Sequence, residues 1–225
     1  TTPYLLQGIT GSGKTEVYLR LMEPLLKAGS QILVLVPEIG LTPQTVARFR
    51  DRFDVPLTLL HSSLSDRERA LGWMQAKEGS VGIILGTRSA VFTPLLNPGA
   101  IIVDEEHDTS YKQQDGFRYS ARDLAVLRGQ FEQMPVVLGS ATPSLESLHN
   151  VETGKYRHLQ LRKRPPGTVS ESYELVDTRH LERREGFTRA LRNRIKDQLA
   201  IGDQVLVFLN RRGFAPVMMC SDCNW

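Results

Sequence analysis

Two clusters in this 225-residue sequence have the residue types and spacing to handle a nucleoside triphosphate. The first is Gly8-Ile9-Thr10-Gly11-Ser12-Gly13-Lys14-Thr15, which fits Gly-x-x-x-x-Gly-Lys-[Ser/Thr], the phosphate-binding P-loop. Triphosphate oxygens need a concave row of backbone N–H donors, and small residues let the backbone come close. Lys14 would place a point charge on the β- and γ-phosphates, and the Thr15 hydroxyl would ligate Mg²⁺. A dinucleotide fingerprint fits less well, because Gly11-x-Gly13 would then require glycine at Glu16. The second cluster is Ile101-Ile102-Val103-Asp104-Glu105-Glu106-His107, an apolar strand ending in carboxylates, the Walker B arrangement. Asp104 would hold Mg²⁺ opposite Thr15, and Glu105 would orient and deprotonate an attacking water. His107 can relay hydrogen bonds between sites. Lys14, Asp104 and Glu105 are the candidate catalytic residues.

Other polar clusters follow the same logic less specifically. In Pro37-Glu38-Ile39-Gly40-Leu41-Thr42-Pro43-Gln44, Thr42 can cap a helix with Pro43 at its first position. That is either a strand-to-helix turn or a set of N–H groups offered to a phosphate chain. Arg88, in Gly86-Thr87-Arg88-Ser89-Ala90, is a second backbone-phosphate candidate, or part of a simple turn. Between Asp108 and Tyr119, aromatics alternate with cations: Tyr111, Phe117 and Tyr119 can stack on unpaired bases, with Lys112 and Arg118 on phosphates. The competing reading tucks those aromatics into the domain. In Gly139-Ser140-Ala141-Thr142-Pro143-Ser144, Ser140 and Thr142 can hydrogen-bond the Walker B carboxylates and sense the γ-phosphate, unless they only start a helix.

These groups need elements to hold them. Apolar, β-branched-rich strands are expected near Tyr4–Gln7, Gln31–Val36, Leu57–His61, Val81–Gly86, Ala100–Asp104 and Pro135–Gly139. Helical patterns fill Thr15–Ala28, Thr42–Phe53, Ser65–Lys77, Ser120–Gln133 and Ser144–Glu152. Such alternation predicts an α/β P-loop fold, a mainly parallel sheet covered by helices on both faces. Every cluster above follows a strand, and ligands in such folds bind at the strands' carboxyl ends. Residues 1–154 read as one nucleotide-binding lobe and 155–187 as a connector containing the basic, proline-rich Arg162-Lys163-Arg164-Pro165-Pro166-Gly167. A strand at Tyr173–Asp177, a helix at Thr188–Ala200 and a strand at Gln204–Leu209 are expected; 188–219 would open a second lobe.

Hydrophobic content of 40% with 24% charged residues is ordinary for a soluble domain, and the net charge of +3 is compatible with a polyanionic partner. There is neither an apolar run of about 18 residues nor an opening signal-peptide pattern, so a cytoplasmic location without a membrane partner is expected. The two cysteines, Cys220 and Cys223, argue against a disulfide scaffold. Their spacing is that of half a zinc knuckle, whose other ligands would lie in a longer protein. The lack of a segment before the first strand suggests the same: a fragment that binds nucleotide more readily than it turns it over.

The stretches at 8–15, 37–44, 86–90, 104–107 and 139–144 resemble motifs I, Ia, Ib, II and III of superfamily-two DNA helicases. Their wording is closest to the bacterial replication-restart branch, the primosomal helicases. Tyr111–Tyr119 looks like that family's aromatic-rich loop, 205–213 like its motif IV region, and Cys220/Cys223 like the first pair of its zinc region. The resemblance implies a RecA-like motor lobe and an ATP-driven 3′-to-5′ DNA helicase acting on single-stranded and forked DNA. Zinc in the complete protein, single-strand-binding protein and primosome proteins as partners, and coupling through His107, Ser140 and Thr142 are implied with it. Motifs V and VI, with their arginine finger, are absent. Two alternatives remain: a translocase on duplex DNA that does not separate strands, and a nucleotide-dependent fork-binding assembly module.

Overall fold

A computed structural model describes residues 1–163, 173–179, 181, 183–184 and 186–208, leaving aside the Ile39, Arg183 and Arg184 side chains. The chain divides into two compact units, Thr1–Thr168 and Val169–Trp225.

The first unit is a seven-stranded, wholly parallel sheet. Its strands are β1 (Tyr4–Gly8), β2 (Gln31–Leu35), β3 (Leu57–Leu60), β4 (Ile83–Gly86), β5 (Pro98–Val103), β6 (Val136–Ser140) and β7 (Arg157–Leu161). The spatial order is β3-β4-β2-β5-β6-β1-β7, so the P-loop strand and the Walker B strand flank β6. Five helices cross between them: α1 (Lys14–Lys27), α2 (Pro43–Arg52), α3 (Asp66–Lys77), α4 (Ala121–Phe131) and α5 (Leu145–Glu152).

The central strands show why the sheet is covered on both sides. Every residue of β2 is buried, and successive side chains alternate between two apolar clusters. Leu33 and Leu35 join Ile101, Val103 and Leu138 against Ala121 and Ala125 of α4. Ile32 and Val34 join Ile102 and Leu85 against Tyr18, Leu19 and Met22 of α1 and Phe49 of α2. This is the period-two geometry of a strand serving two cores at once. Truncating a wholly buried side chain such as Met22 to alanine would cost about 2–5 kcal/mol.

Local chemistry sets the helix starts. Thr42 accepts the Thr45 N–H ahead of Pro43, and Ser65 forms a reciprocal capping box with Glu68. Ser120 and Ser144 cap α4 and α5.

Strand β7 lies inside the stretch expected as a connector. It pairs along its length with β1, from Tyr4↔Arg157 to Gly8↔Leu161. As a half-exposed edge strand with Arg157, His158 and Gln160 among its five residues, it lacks the apolar run that marks the central strands.

The second unit contains a short antiparallel pair, β8 (Arg183–Arg184) with β9 (Phe187–Thr188), leading into α6 (Arg189–Ala200) capped by Thr188. No strand forms at Tyr173–Asp177 or over 204–208, where the described side chains are mostly exposed. Residues 209–225, including Cys220, Cys223 and the rest of the expected motif IV region, lie outside the described residues, as do Arg164–Gly167.

Candidate nucleotide site

The loop between β1 and α1 is shaped by glycine conformation. Gly11 and Gly13 have φ of +78° and +93°, in the left-handed region that a side chain would strain. Gly13 also N-caps α1, so the helix opens on backbone N–H groups with Lys14 and Thr15 in its first turn. The Ser12 N–H donates to Ile9 O at 2.9 Å, while its buried hydroxyl has no partner among the described residues. An orphaned buried hydroxyl inside a cradle of left-handed glycines is what an oxygen-rich ligand would satisfy. Lys14 is buried too: its ammonium donates to Gly8 O at 2.8 Å and stands 3.6 Å from Glu105 Oε1.

Three successive acids leave the end of β5, and they diverge. Asp104 directly follows β5, its N–H donating to Leu35 O at 2.9 Å. Its Oδ1 accepts the Tyr18 hydroxyl at 3.0 Å, and its carbonyl accepts the Tyr111 hydroxyl at 2.7 Å. Burial, then the neighbouring Glu105, pushes the Asp104 carboxyl above the ordinary aspartate range. Burial and the nearby acids hold both tyrosines protonated as donors. Glu105 turns out of the strand with φ of +46°, a conformation that costs a non-glycine residue on the order of 1–2 kcal/mol. That turn brings its carboxylate to Lys14 on one side and within 3.6 Å of His107 Nδ1 on the other.

Glu106 points back into the protein and is 2% exposed. Its carboxylate accepts Ser144 N at 2.7 Å, Ser144 Oγ at 3.1 Å, Ser147 Oγ at 2.8 Å and Arg122 Nη1 at 3.3 Å.

The expected sensor residues do meet. His107 Nδ1 lies 2.7 Å from the buried Ser140 hydroxyl, and Ser140 Oγ accepts the Thr142 N–H at 3.0 Å. One chain of contacts therefore runs from Lys14 through Glu105 and His107 to Ser140 and Thr142.

The residues fit a magnesium nucleotide by their donor types. Asp104 and Thr15 are hard oxygen donors, and a divalent cation would relieve the repulsion that Asp104 feels from Glu105. The Asp104 Oδ1–Tyr18 bond leaves the second carboxylate oxygen without a hydrogen bond to a described side chain.

The nucleic-acid candidates separate into two kinds. Thr42 lies on a cleft of about 650 Å³ with His61, Ser62, Arg50 and Thr87, at the carboxyl ends of β2, β3 and β4. Lys112, Arg118 and Tyr119 line a second, about 540 Å³, on the hairpin 112–120. Phe117, at the hairpin tip, is 78% exposed and tilts against Tyr119, which packs edge-on to Phe92 with ring centroids 4.9 Å apart. One residue behaves otherwise than expected. Tyr111 is 1% exposed and bonded to the Asp104 carbonyl, so it is a core residue with no face for a base. Arg88 donates through Nη1 to Ser110 O and Lys112 O, at 3.1 and 3.2 Å, and so anchors the hairpin.

Sequence reasoning missed Tyr18, Glu106, Arg122, Ser144 and Ser147. Tyr18 had a signal: it sits one helical turn after Lys14 on the face toward the sheet. Gly139 is the other half of that signal, since a Cβ there would fall 1.5 Å from the Tyr18 hydroxyl oxygen.

The sequence profile of the DEAD/DEAH box helicases matches residues 2–151. The chain is 54% identical over 222 residues to Replication restart protein PriA of Haemophilus influenzae, covering 99% of this chain and 30% of that protein. It is 44% identical over 226 residues to Replication restart protein PriA of Bacillus subtilis, covering 99% and 28%. The chain thus spans under a third of these relatives, and they are the branch to which the motif wording points. Among solved structures, RecG bound to a three-way DNA junction matches with TM-score 0.50 and 23% identity over 73% of this chain and 21% of that one. That likeness bears on the fold.

Proposed function

The chain belongs to the DEAD/DEAH box helicase family, and we propose that its first unit is the nucleotide-binding motor lobe of a replication-restart DNA helicase. The observation that carries the proposal is the convergence of Lys14, Glu105 and His107 beside an Asp104 held by Tyr18. In this reading the P-loop N–H groups and Lys14 bind the β- and γ-phosphates of ATP. Mg²⁺ held by Thr15 and Asp104 would neutralise phosphate charge. Glu105 orients the attacking water and takes its proton at a carboxylate oxygen. Lys14 and Glu105 hold each other's charge until phosphates compete for the lysine.

The cleft at Thr42 and the hairpin with Lys112, Phe117, Arg118 and Tyr119 are proposed to contact single-stranded DNA. His107, Ser140 and Thr142 are proposed to relay the nucleotide state to it. Movement from 3′ to 5′, action at forks, partnership with single-strand-binding protein and primosome proteins, a zinc site begun by Cys220 and Cys223, and a cytoplasmic location belong to the same reading. No described helix is long and apolar enough to cross a membrane.

The test is ATP turnover by the complete protein with and without single-stranded DNA, plus strand separation on duplexes with 3′ or 5′ tails. Lys14→Ala and Glu105→Gln should each lower DNA-stimulated turnover by about 10²-fold or more. Wild-type turnover in either variant would remove the proposed roles. Unwinding of 5′-tailed substrates alone would reverse the polarity.

A further inference from the structure

The hairpin 112–120 is closed by the Lys112↔Ser120 bridge and the bond from Gln113 N to Tyr119 O at 2.8 Å. An arginine lies at or just beyond each end. Arg88 holds the first strand through the Ser110 and Lys112 carbonyls. At the other end Ser120 caps α4, and Arg122, the second residue of that helix, is buried. The Arg122 guanidinium donates to Asp123 Oδ1 at 2.8 Å, Ser144 Oγ at 2.7 Å and Glu106 Oε2 at 3.3 Å.

Glu106 has a role unlike its two neighbours in the acidic run. All four of its side-chain donors come from α4, α5 and the cap between Pro143 and Leu145, and its own N–H donates to Gly139 O at 2.9 Å. A buried ion pair contributes little net stability, because desolvation of both charges offsets their attraction. Such a pair instead fixes position. The position fixed here is the residue immediately after Glu105, where the backbone is held at a left-handed angle.

We propose that Arg122 and Glu106 are a positioning pair that ties the α4 end of the hairpin to Glu105, so that displacement of the hairpin by single-stranded nucleic acid shifts the Glu105 carboxylate. Neither residue touches nucleotide in this arrangement. The inference rests on the reading of Glu105 as the water-activating group and of the hairpin as a nucleic-acid contact.

The experiment uses the complete protein, with ATP turnover measured with and without an oligothymidylate strand and ATP affinity measured with a fluorescent analogue. Glu106→Gln keeps the shape and removes the charge; Arg122→Lys keeps the charge and removes the fork. Each should lower oligothymidylate-stimulated turnover by about tenfold or more, within the range of site-to-site coupling. Analogue affinity and KM for ATP should stay within about twofold of wild type. The double variant should lose no more than the worse single, because both act through one contact. Wild-type stimulation in Glu106→Gln overturns the proposal, as do multiplicative losses in the double variant. A parallel loss of analogue affinity and turnover in both singles also overturns it, since that marks a folding defect. Absence of stimulation in the wild type itself would instead remove the underlying reading, and this inference with it.

Discussion

Replacing Gly139 by alanine places one methyl group against the residue that holds Asp104. The added Cβ would lie 1.5 Å from the Tyr18 hydroxyl oxygen, 2.7 Å from Cζ and 3.3 Å from Cε1. Restoring ordinary contact at 3.4 Å requires the hydroxyl to move by 3.4 − 1.5, about 2 Å. The 3.0 Å bond from Tyr18 to Asp104 Oδ1 cannot survive that displacement. Overpacking costs about 1–3 kcal/mol. Losing a hydrogen bond to a charged group costs about 1.5–3 kcal/mol. Together they predict a loss of about 2.5–6 kcal/mol, at about 2–4 °C of melting temperature per kcal/mol for a domain of this size. The Mg²⁺ dependence of ATP turnover should weaken as well, because Asp104 loses its orienting partner.

The sharper expectation concerns the double variant. Tyr18→Phe alone loses the hydrogen bond, yet it removes the atom with which Gly139→Ala collides. In the pair, the nearest ring atom is Cζ at 2.7 Å, so the required shift falls to 3.4 − 2.7, about 0.7 Å. Gly139→Ala with Tyr18→Phe should therefore melt higher than Gly139→Ala alone, and the two effects should be strongly non-additive. Thermal unfolding of the four proteins, with Mg²⁺ titrations of their ATP turnover, measures this. A double variant less stable than Gly139→Ala would refute the claim that Gly139 exists to seat Tyr18 on Asp104.

Asp104→Asn should stabilise the fold by about 0.5–2 kcal/mol at neutral pH while abolishing turnover, the usual trade at a strained functional site. Its folded pKa lies above the ordinary value of 3.8, so the ionisation penalty is fully present above that raised pKa and declines as pH falls through it. The advantage of Asp104→Asn should shrink over the same interval and be gone below 3.8; an advantage that grows on acidification would refute it. Tyr111→Ala should cost about 3–5 kcal/mol in thermal unfolding, as for other large buried rings. Phe117→Ala should leave stability within about 0.5 kcal/mol and weaken single-strand affinity by the 1–3 kcal/mol of one stacked base. Equal effects of the two variants on both measurements would contradict their assignment to core and surface.

The strands that the sequence makes easiest to find are those buried on both faces, where Ile32–Leu35 or Ile101–Val103 leave no alternative to a central strand. Strand β7 was not legible because an edge needs only part of one face apolar, and Arg157-His158-Leu159-Gln160-Leu161 satisfies that with a pattern that loops share. The loop at 8–15 was legible because a tight turn of this kind restricts residue type at each position, and Gly11 and Gly13 adopt left-handed φ angles that favour glycine. The aromatic stretch was only half legible. Tyr111 and Phe117 are six residues apart with similar composition around them, but one ring packs inward against the Asp104 carbonyl and the other faces solvent. Periodicity cannot separate them, since the chain turns between the two through a short 3₁₀ segment and a hairpin with no fixed repeat.

The acidic run shows what spacing alone leaves undetermined. In a regular strand, Asp104 and Glu106 would share one face and Glu105 would take the other. The left-handed angle at Glu105 ends that alternation and sends the three carboxylates to three different partners. Asp104 meets Tyr18 of α1, Glu105 meets Lys14 and His107, and Glu106 meets Arg122 and the start of α5. Tyr18 and Lys14 both lie on α1 whereas Arg122 lies on α4 and Ser144 caps α5, so the end of β5 is where α1, α4 and the start of α5 are mechanically joined. A conservative change at any one acid should therefore disturb a different property: metal dependence at Asp104, turnover at Glu105, and the response to nucleic acid at Glu106. If Glu106→Gln and Asp104→Asn shifted Mg²⁺ dependence alike, the three acids would be acting as one charge cluster rather than as three directed contacts.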